Sequence, residues 1–137
     1  MKEEIVIAAV READSAAVAQ LYFDAGFLPP GSDISFIPAM ITGSFVWVGA
    51  WCKGELIGMG RAISDGISDA YIQDVVVKEN YRRQGIGAGI IREIIAILRQ
   101  HGVDWIALVG VPGTKHFYQE LGFEELAEYL PMQWKGF

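Results

Sequence analysis

Residues 79–95, ENYRRQGIGAGIIREII, place three glycines and two adjacent arginines directly before a strongly apolar run. After Gly87 the apolar residues recur at spacings of three and four, which predicts an amphipathic helix of about four turns that Gly102 ends. A glycine-rich basic turn before a helix exposes unpaired N–H groups at the positive end of the helix dipole. The segment therefore predicts an anion site, with phosphate as the expected ligand.

The first half of the chain predicts a strand, helices and a hairpin. EEIVIAAV predicts a strand, and Asp14 is the expected N-cap of a helix over residues 15–27. ISFIPAMITGS predicts a loop or a short second helix with Pro38 near its start. The β-rich runs that follow meet at Lys53-Gly54, which predicts a hairpin turn.

The second half adds further strands around the long helix. SDAYIQDVVV predicts a third strand of an antiparallel meander, and DWIALVGV predicts a strand after the long helix. GTKHFYQELGF predicts a short helix that ends at Gly122, and MQWKGF predicts a last strand. The predicted order is β α (α) β β β α β α β.

Length and composition limit the function classes. The 137 residues predict one domain, 1–137, and the 52% hydrophobic content is typical of a globular protein. A net charge of −6 has the wrong sign for nucleic-acid binding. The apolar runs are shorter than the roughly 20 residues of a membrane span, so we expect no membrane partner. Acids flank the short apolar stretch near Met1, which argues against a secretory signal and predicts a cytoplasmic protein. Cys52 has no second cysteine and no ligand-spaced histidine, so we expect a plain strand residue and no metal.

Three phosphate-binding motifs compete for the glycine loop. GIGAG lacks the third glycine of the dinucleotide fingerprint, and no P-loop sequence is present. The remaining pattern, R-x-x-G-x-G at residues 82–87 after DVVVKENY, resembles the acetyl-CoA pyrophosphate loop of the GNAT superfamily of acyl-CoA N-acyltransferases. FYQELGF at residues 117–123 is similar to a second signature of that family, FYxKxGF. The order of elements matches as well.

The resemblance implies a fold and a function. The implied fold is a mixed α/β (α+β) GNAT fold, with a mostly antiparallel sheet of six to seven strands, a splayed central strand and about four helices. The implied function is direct transfer of an acetyl group from acetyl-CoA to a primary amine of a small molecule or peptide in a ternary complex. The alternative is a catalytically weak acetyl-CoA-binding sensor or interaction module. A homodimer is compatible with the family.

The resemblance also implies residues that bind acetyl-CoA. The pantetheine arm would pair with strand backbone, and the pyrophosphate would rest on N–H groups of the loop with added charge from the arginines. The implied cofactor-binding residues are Val75, Val76, Val77, Arg82, Arg83, Gln84, Gly85, Ile86, Gly87, Ala88, Phe117 and Tyr118. Tyr118 would protonate the leaving thiolate as general acid. Val111 stands where many relatives have asparagine, so that residue's contact with the cofactor should be absent or replaced by a backbone contact.

The general base is the uncertain catalytic group. Gln73 takes the position of a glutamate found in several relatives and cannot accept the proton. On a regular strand Asp74 should point to the opposite face from Gln73, so it is a candidate catalytic residue or a structural anchor. Tyr71 and Gln73 share a face and could orient the substrate. His101 and His116 are expected at the surface.

The acceptor site should lie near the first helix, the loop after it and the middle strands. Those parts hold seven large aromatics: Tyr22, Phe23, Phe27, Phe36, Phe45, Trp47 and Trp51. Phe45, Trp47 and Trp51 should share one strand face, where core packing is the favoured interpretation and an apolar or cation-binding amine pocket is the alternative. Asp24, Asp33 and Asp65 could favour a cation.

Overall fold

The computed structural model describes residues 4–136, which form one five-stranded sheet with helices on both faces. In chain order the elements are β1 (Ile5–Ala9), α1 (Ser15–Asp24), α2 (Ile37–Gly43), β2 (Val46–Cys52), β3 (Glu55–Ser64), β4 (Asp69–Val77), a 3-10 turn (Glu79–Tyr81), α3 (Ile86–Gln100), β5 (Trp105–Leu108) and α4 (Lys115–Glu120). The strands lie in the order β1-β2-β3-β4-β5. All neighbours are antiparallel except β4 and β5, which run parallel.

The turn and the helix cap predicted from local sequence signals are both present. Lys53 and Gly54 both take positive φ, 51° and 79°, which is the backbone of the tight turn that joins β2 to β3. Asp14 caps α1 by accepting a hydrogen bond from the N–H of Ala17 at 3.0 Å. The segment around Pro38 is a helix rather than a loop, and α1 ends at Asp24, three residues before its predicted end.

The predicted sheet of six to seven strands is wrong, because the described residues contain five. MQWKGF was predicted as a last strand, yet residues 132–136 form none, and Phe137 lies outside the described residues. A strand needs a neighbour that pairs with its backbone, and residues 124–136 are exposed. Pro131 also lacks an N–H for such pairing. Residues 4–136 contain four helices, which confirms the prediction of about four.

The sheet separates two hydrophobic clusters. α3 covers one face with Ile90, Ile91, Ile94 and Leu98, all fully buried. α1 and α2 cover the other face, where Trp47 is 2% exposed and Trp51 packs alongside. Phe45 packs with the α3 cluster and His101 instead, so the prediction that it shares a face with the two tryptophans is wrong. It precedes β2 and is not bound by the alternation of that strand.

A β-bulge interrupts β4 at Asp74. Gln73 pairs with Arg61 and Val76 pairs with Met59, so two residues of β4 face the single residue Gly60. Asp74 takes a φ of 58°, which is unusual for a residue with a side chain. A bulge bends its strand and increases the local twist. Pairing of β4 with β5 stops at Ile72, just before this bulge, so β4 splays away from β5 as expected.

None of the helices in the described part of the chain has both the length and the apolar character needed to cross a membrane. Residues 4–136 also bring together no group of three His, Cys, Asp or Glu side chains that could hold a metal.

Close packing of α3 on the sheet depends on Gly60. A Cβ there would lie 2.8 Å from Ile90 Cγ2 and 3.2 Å from Ile94 Cδ1. We therefore expect Gly60→Ala to lower the free energy of unfolding by about 1–3 kcal/mol, as overpacking does. Gly43→Ala is the matched control, because nothing lies within 4 Å of its Cβ position. Urea unfolding of both variants checks this, and an unchanged midpoint for Gly60→Ala would contradict the packing.

Candidate functional site

A groove of about 610 Å³ opens where β4 leaves β5. The splayed half of β4 forms one wall, and α4 with the loop after β5 forms the other. The groove is lined by Phe27, Ile72, Gln73, Asp74, Val75, Val77, Tyr81, Arg82, Arg83, Gly85, Ile86, Gly87, Ala88, Leu108, Val109, Val111, Thr114, Phe117, Tyr118 and Glu120. Most of the predicted site residues are thus brought together in a single groove.

The glycine loop presents backbone donors at one end of the groove. Gly85, the N-cap of α3, has a φ of 79°, and Arg83 has a φ of 63°. Among the described residues, no acceptor is found for the N–H groups of residues 83–88, and the first helical backbone bond of this turn runs from Gly89 to Gly85. Consecutive free N–H groups at a helix N-terminus bind an anion, so this end of the groove suits a phosphate.

The two predicted arginines border this loop. Arg82 donates from Nε to the carbonyl of Val77 at 2.9 Å, which ties the loop to the end of β4. Arg83 is exposed and also lines the groove. Gln84 is exposed and does not line it. The guanidinium groups therefore place positive charge beside the free N–H groups.

The predicted strand Val75, Val76 and Val77 divides between two environments. Val75 and Val77 line the groove, whereas Val76 is 4% exposed and packs with the α1 cluster. The backbone of residues 73–77 has no partner in β5. A ligand with amide groups could pair with this unpartnered edge in the manner of an added strand.

Gly87 lies where the glycine loop meets α4. A Cβ at Gly87 would lie 3.3 Å from Phe117 Cζ and 3.6 Å from Val77 Cγ2. Gly85 needs its positive φ, while Gly87 keeps the groove open beside Phe117. Gly89 faces away from the groove, and its Cβ would lie 2.6 Å from Ile7 Cδ1, so close packing on β1 explains this glycine.

Tyr118 projects from α4 into the groove among other aromatic rings. Its ring packs edge-on against Phe117 at 5.0 Å and Phe123 at 5.8 Å. Burial raises the pKa of the Tyr118 phenol above its usual value. The phenol therefore keeps its proton at neutral pH and can act as a proton donor.

Asp74 sits at the bulge and is held by two side chains. Its Oδ2 accepts a hydrogen bond from the Tyr22 hydroxyl at 2.8 Å and pairs with Arg61 Nε at 2.7 Å. Arg61 also approaches Gln73 Oε1 at 3.4 Å, so Asp74 and Gln73 are reached from the same side of the sheet. The prediction that they point to opposite faces is wrong, because the bulge breaks the regular alternation.

The Asp74 carboxylate has one committed oxygen and one available oxygen. Both contacts above involve Oδ2, and no described side chain or N–H donates to Oδ1. Asp74 lines the groove. Burial, with the nearby Asp74 carboxylate as the next cause, raises the pKa of Tyr22, so its hydroxyl stays a donor.

The aromatic residues that were considered for the acceptor mostly fill the core. Tyr22 and Trp47 are buried, and Phe36 packs edge-on against Tyr22. Phe27 alone of the seven lines the groove. Tyr71 and Gln73 are both exposed, and Tyr71 packs against Trp105 at 5.6 Å. The core packing favoured above for Phe45, Trp47 and Trp51 is observed, because all three pack in the hydrophobic clusters.

The candidate acids, histidines and cysteine lie outside the groove. Asp33 and Asp65 accept hydrogen bonds in local turns, which lower both pKa values, that of Asp65 to about 2. Asp24 accepts from Gln20 at 2.8 Å. The two histidines are exposed, and Cys52 is a buried residue of β2. None of these groups lines the groove.

Arg61 was not predicted as a site residue. A lone arginine in the apolar strand ELIGMGRAIS is a recognisable signal, because a charged residue in such a strand needs a partner. The identity of that partner depends on the bulge. Phe27 was predicted only as one of seven aromatic residues near the acceptor site. No feature of the neighbouring sequence distinguishes it as the one that lines the groove.

Comparison with known proteins identifies the family to which this sequence is similar. The model of the acetyltransferase (GNAT) family matches residues 8–123. GCN5-related N-acetyltransferase 2, a chloroplastic protein of Arabidopsis thaliana, is 40% identical over 70 residues, which is 51% of this chain. The chain spans 27% of that relative's length.

Solved structures share the fold over almost the whole chain. A GNAT family acetyltransferase from Streptococcus pneumoniae TIGR4 has a TM-score of 0.81 at 24% identity, with 97% of this chain and 98% of the other covered. An aminoglycoside N-acetyltransferase in complex with CoA has a TM-score of 0.73 at 16% identity, with coverages of 99% and 98%. At these identities the similarity shows the fold.

Proposed function

The chain belongs to the GNAT acetyltransferase family, and we propose that it transfers an acetyl group from acetyl-CoA to a primary amine. The observation that carries the proposal is the set of free N–H groups of residues 83–88, which open into the same groove as Tyr118 and Asp74. The N–H groups bind the pyrophosphate, Tyr118 is a proton donor and Asp74 is a carboxylate, and all three serve one reaction.

The donor occupies the groove along the splayed strand. The pyrophosphate rests on the N–H groups of residues 83–88, and Arg82 and Arg83 add charge. The amide-bearing arm pairs with the free edge of residues 73–77. The solved CoA complex among the structural neighbours supports a CoA ligand for this fold. Acetyl-CoA supplies the activated thioester.

The acetyl group moves in one ternary complex. The neutral amine nitrogen attacks the thioester carbonyl carbon, the C–N bond forms and the C–S bond breaks, leaving the CoA thiolate. The nitrogen then releases its extra proton to solvent, which gives the neutral amide. Tyr118 donates its phenolic proton to that thiolate, and solvent returns a proton to Tyr118. Its raised pKa keeps the phenol protonated until that step. Holding the reactants together supplies much of the acceleration.

Asp74 is a better candidate than Gln73 for the group that accepts the proton from the amine. Gln73 cannot accept a proton, whereas Asp74 is a carboxylate whose Oδ1 has no described donor. Tyr22 and Arg61 fix the other oxygen and so hold the carboxylate in one orientation. Asp74 binds the ammonium form through Oδ1 and accepts its proton before attack.

An amine panel tests the proposed activity. Thiol release from acetyl-CoA is measured with an arylalkylamine, a polyamine, an aminoglycoside and a lysine-containing peptide, and calorimetry gives the affinity for acetyl-CoA. We expect turnover with at least one small primary amine. Tight acetyl-CoA binding with no turnover on the panel favours the sensor module instead. The cytoplasmic location and the homodimer stay predictions.

Gly87→Glu tests the glycine loop. A carboxylate at this position projects toward the groove beside Phe117 and repels the pyrophosphate. We expect the Kd for acetyl-CoA to rise by about 100-fold or more, which a loss of roughly 2.7 kcal/mol produces. Gly43→Glu adds the same charge at an open site outside the groove and should leave the Kd unchanged. Calorimetry that finds native affinity in a folded Gly87→Glu protein refutes the assignment.

Tyr118→Phe tests the general acid. The ring and its contacts with Phe117 and Phe123 remain, but the proton donor is lost. We expect kcat to fall by about 10²-fold, within the usual range for general acid catalysis, with the Kd for acetyl-CoA unchanged. Steady-state kinetics and calorimetry measure the two effects. An unchanged kcat excludes the role.

Asp74→Asn tests the carboxylate. We expect kcat/KM for the amine to fall by about 10²-fold, while acetyl-CoA affinity is kept. Tyr22→Phe removes one of the two hydrogen-bond donors to Asp74. It should lower kcat/KM for the amine by about 10-fold, which corresponds to one hydrogen bond to a charged group. Gln73→Ala is the control and should change kcat/KM little. If Asp74→Asn lowers the urea midpoint but leaves kcat/KM unchanged, Asp74 is a structural anchor only.

A further inference from the structure

We propose that a second cavity, named here the arginine cavity, binds a small organic acid that has an apolar body and one carboxylate. The arginine cavity has a volume of about 250 Å³ and is lined by Ala9, Val10, Arg11, Phe45, Val46, Trp47, Ile97 and His101. It shares no residue with the groove described above. The inference therefore goes beyond the proposed acetyl transfer and concerns another site.

Most of the lining of the arginine cavity is apolar. The cavity lies where the end of β1 and the start of β2 meet the last turns of α3. The N–H of Val10 donates to the carbonyl of Trp47 at 3.0 Å, so the two chain segments stay joined at this point. The ring of Phe45 packs edge-on against the ring of His101 at 5.0 Å. Apolar walls of this kind bind the apolar body of a small ligand.

Arg11 supplies a positive charge to the cavity. Its Nη2 donates to the carbonyl of Thr42, in the last turn of α2, at 3.2 Å. Among the described residues this is the one hydrogen bond of the Arg11 side chain, and no ion pair engages it. A guanidinium carries several N–H donors in one plane. The remaining donors are therefore available to bind a carboxylate.

The charges around the cavity favour an anion. The chain has 17 Asp and Glu residues and a net charge of −6, yet none of the described residues that line the cavity is an acid. His101 adds a ring nitrogen: its Nδ1 lies 3.0 Å from the carbonyl oxygen of Ile97 and donates to it. The cavity therefore has the opposite charge to the chain as a whole, which selects a negatively charged ligand.

The volume limits the size of that ligand. Sites for drug-sized molecules measure about 300–1,000 Å³, and the arginine cavity is smaller. A nucleotide or a CoA molecule is too large for it. A monocarboxylate of about ten non-hydrogen atoms, such as phenylacetate, is the appropriate probe.

An NMR titration tests the proposal. Phenylacetate is added to ¹⁵N-labelled protein with and without CoA. We expect amide shifts at residues 9–11, 45–47 and 97–101, with a Kd of about 1 mM or tighter that CoA does not change. The neutral 2-phenylacetamide should bind about 10-fold more weakly or less, because it lacks the charge. Shifts confined to residues 83–88, equal binding of the amide, or no shift at about ten times that Kd overturn the proposal.

Three variants test the residues of the cavity. Arg11→Gln should raise the Kd for phenylacetate by about 10-fold or more, since a charged hydrogen bond is lost. Ala9→Phe keeps the charge but occupies the cavity and should weaken binding as much. Arg92→Gln is the matched control, because it removes an exposed charge of α3 outside both sites and should leave the Kd unchanged.

The amide spectrum of each variant shows whether it is folded, and urea unfolding gives its stability. If Arg11→Gln lowers the urea midpoint but binds phenylacetate with native affinity, Arg11 only caps the end of α2 and the proposal is overturned. Native affinity in a folded Ala9→Phe protein overturns it as well. Neither result depends on acetyl transfer, so failure of this site is distinguished from failure of the proposed function.

Discussion

The β-bulge at Asp74 is the constraint on which the site depends. It places two residues of β4 opposite Gly60 and forces Asp74 into a positive φ of 58°. Such a backbone is costly for a residue with a side chain and persists when its surroundings hold it. Here the Tyr22 hydroxyl and the Arg61 guanidinium hold the carboxylate from α1 and β3. Strand pairing of β4 with β5 ends just before this point, so the groove begins where the bulge is fixed.

The bulge also reverses the alternation of side chains along β4. Before it, Ile72 packs against α3, and after it Val75 and Val77 take that side while Val76 packs with the α1 cluster. Regular alternation from Ile72 would have placed Val76 with α3. The reversal puts Val75 and Val77 beside the glycine loop and Asp74 on the side of Tyr22. One inserted residue therefore sets both the groove wall formed by Val75 and Val77 and the position of the Asp74 carboxylate.

The elements encoded by short-range patterns were predictable from the sequence. The Lys53-Gly54 turn, the Asp14 cap and the glycine N-terminus of α3 each depend on residues within a few positions, and each formed as predicted. The bulge, the Arg61–Asp74 pair and the number of strands depend on which strands become neighbours. Arg61 and Asp74 are separated by 13 positions, and Tyr22 and Asp74 by 52. No local pattern encodes such pairings. The predicted orientation of Asp74 and the prediction of a last strand were therefore wrong.

The two groups of the groove that are proposed to transfer protons have different environments, which is consistent with the proposed acetyl transfer. Tyr118 is packed between Phe117 and Phe123, and its burial favours the neutral phenol that can give a proton to a thiolate. The Tyr22 hydroxyl and the Arg61 guanidinium hold the Asp74 carboxylate in one orientation, which suits the proposed binding of an ammonium group. Starting from the ammonium form, the nitrogen loses one proton before attack and a second after it, whereas the sulfur gains one, so the transfers occur at separate atoms. A glutamine at position 73 is therefore compatible with catalysis, because the carboxylate lies at the next residue, which the bulge turns to the same side.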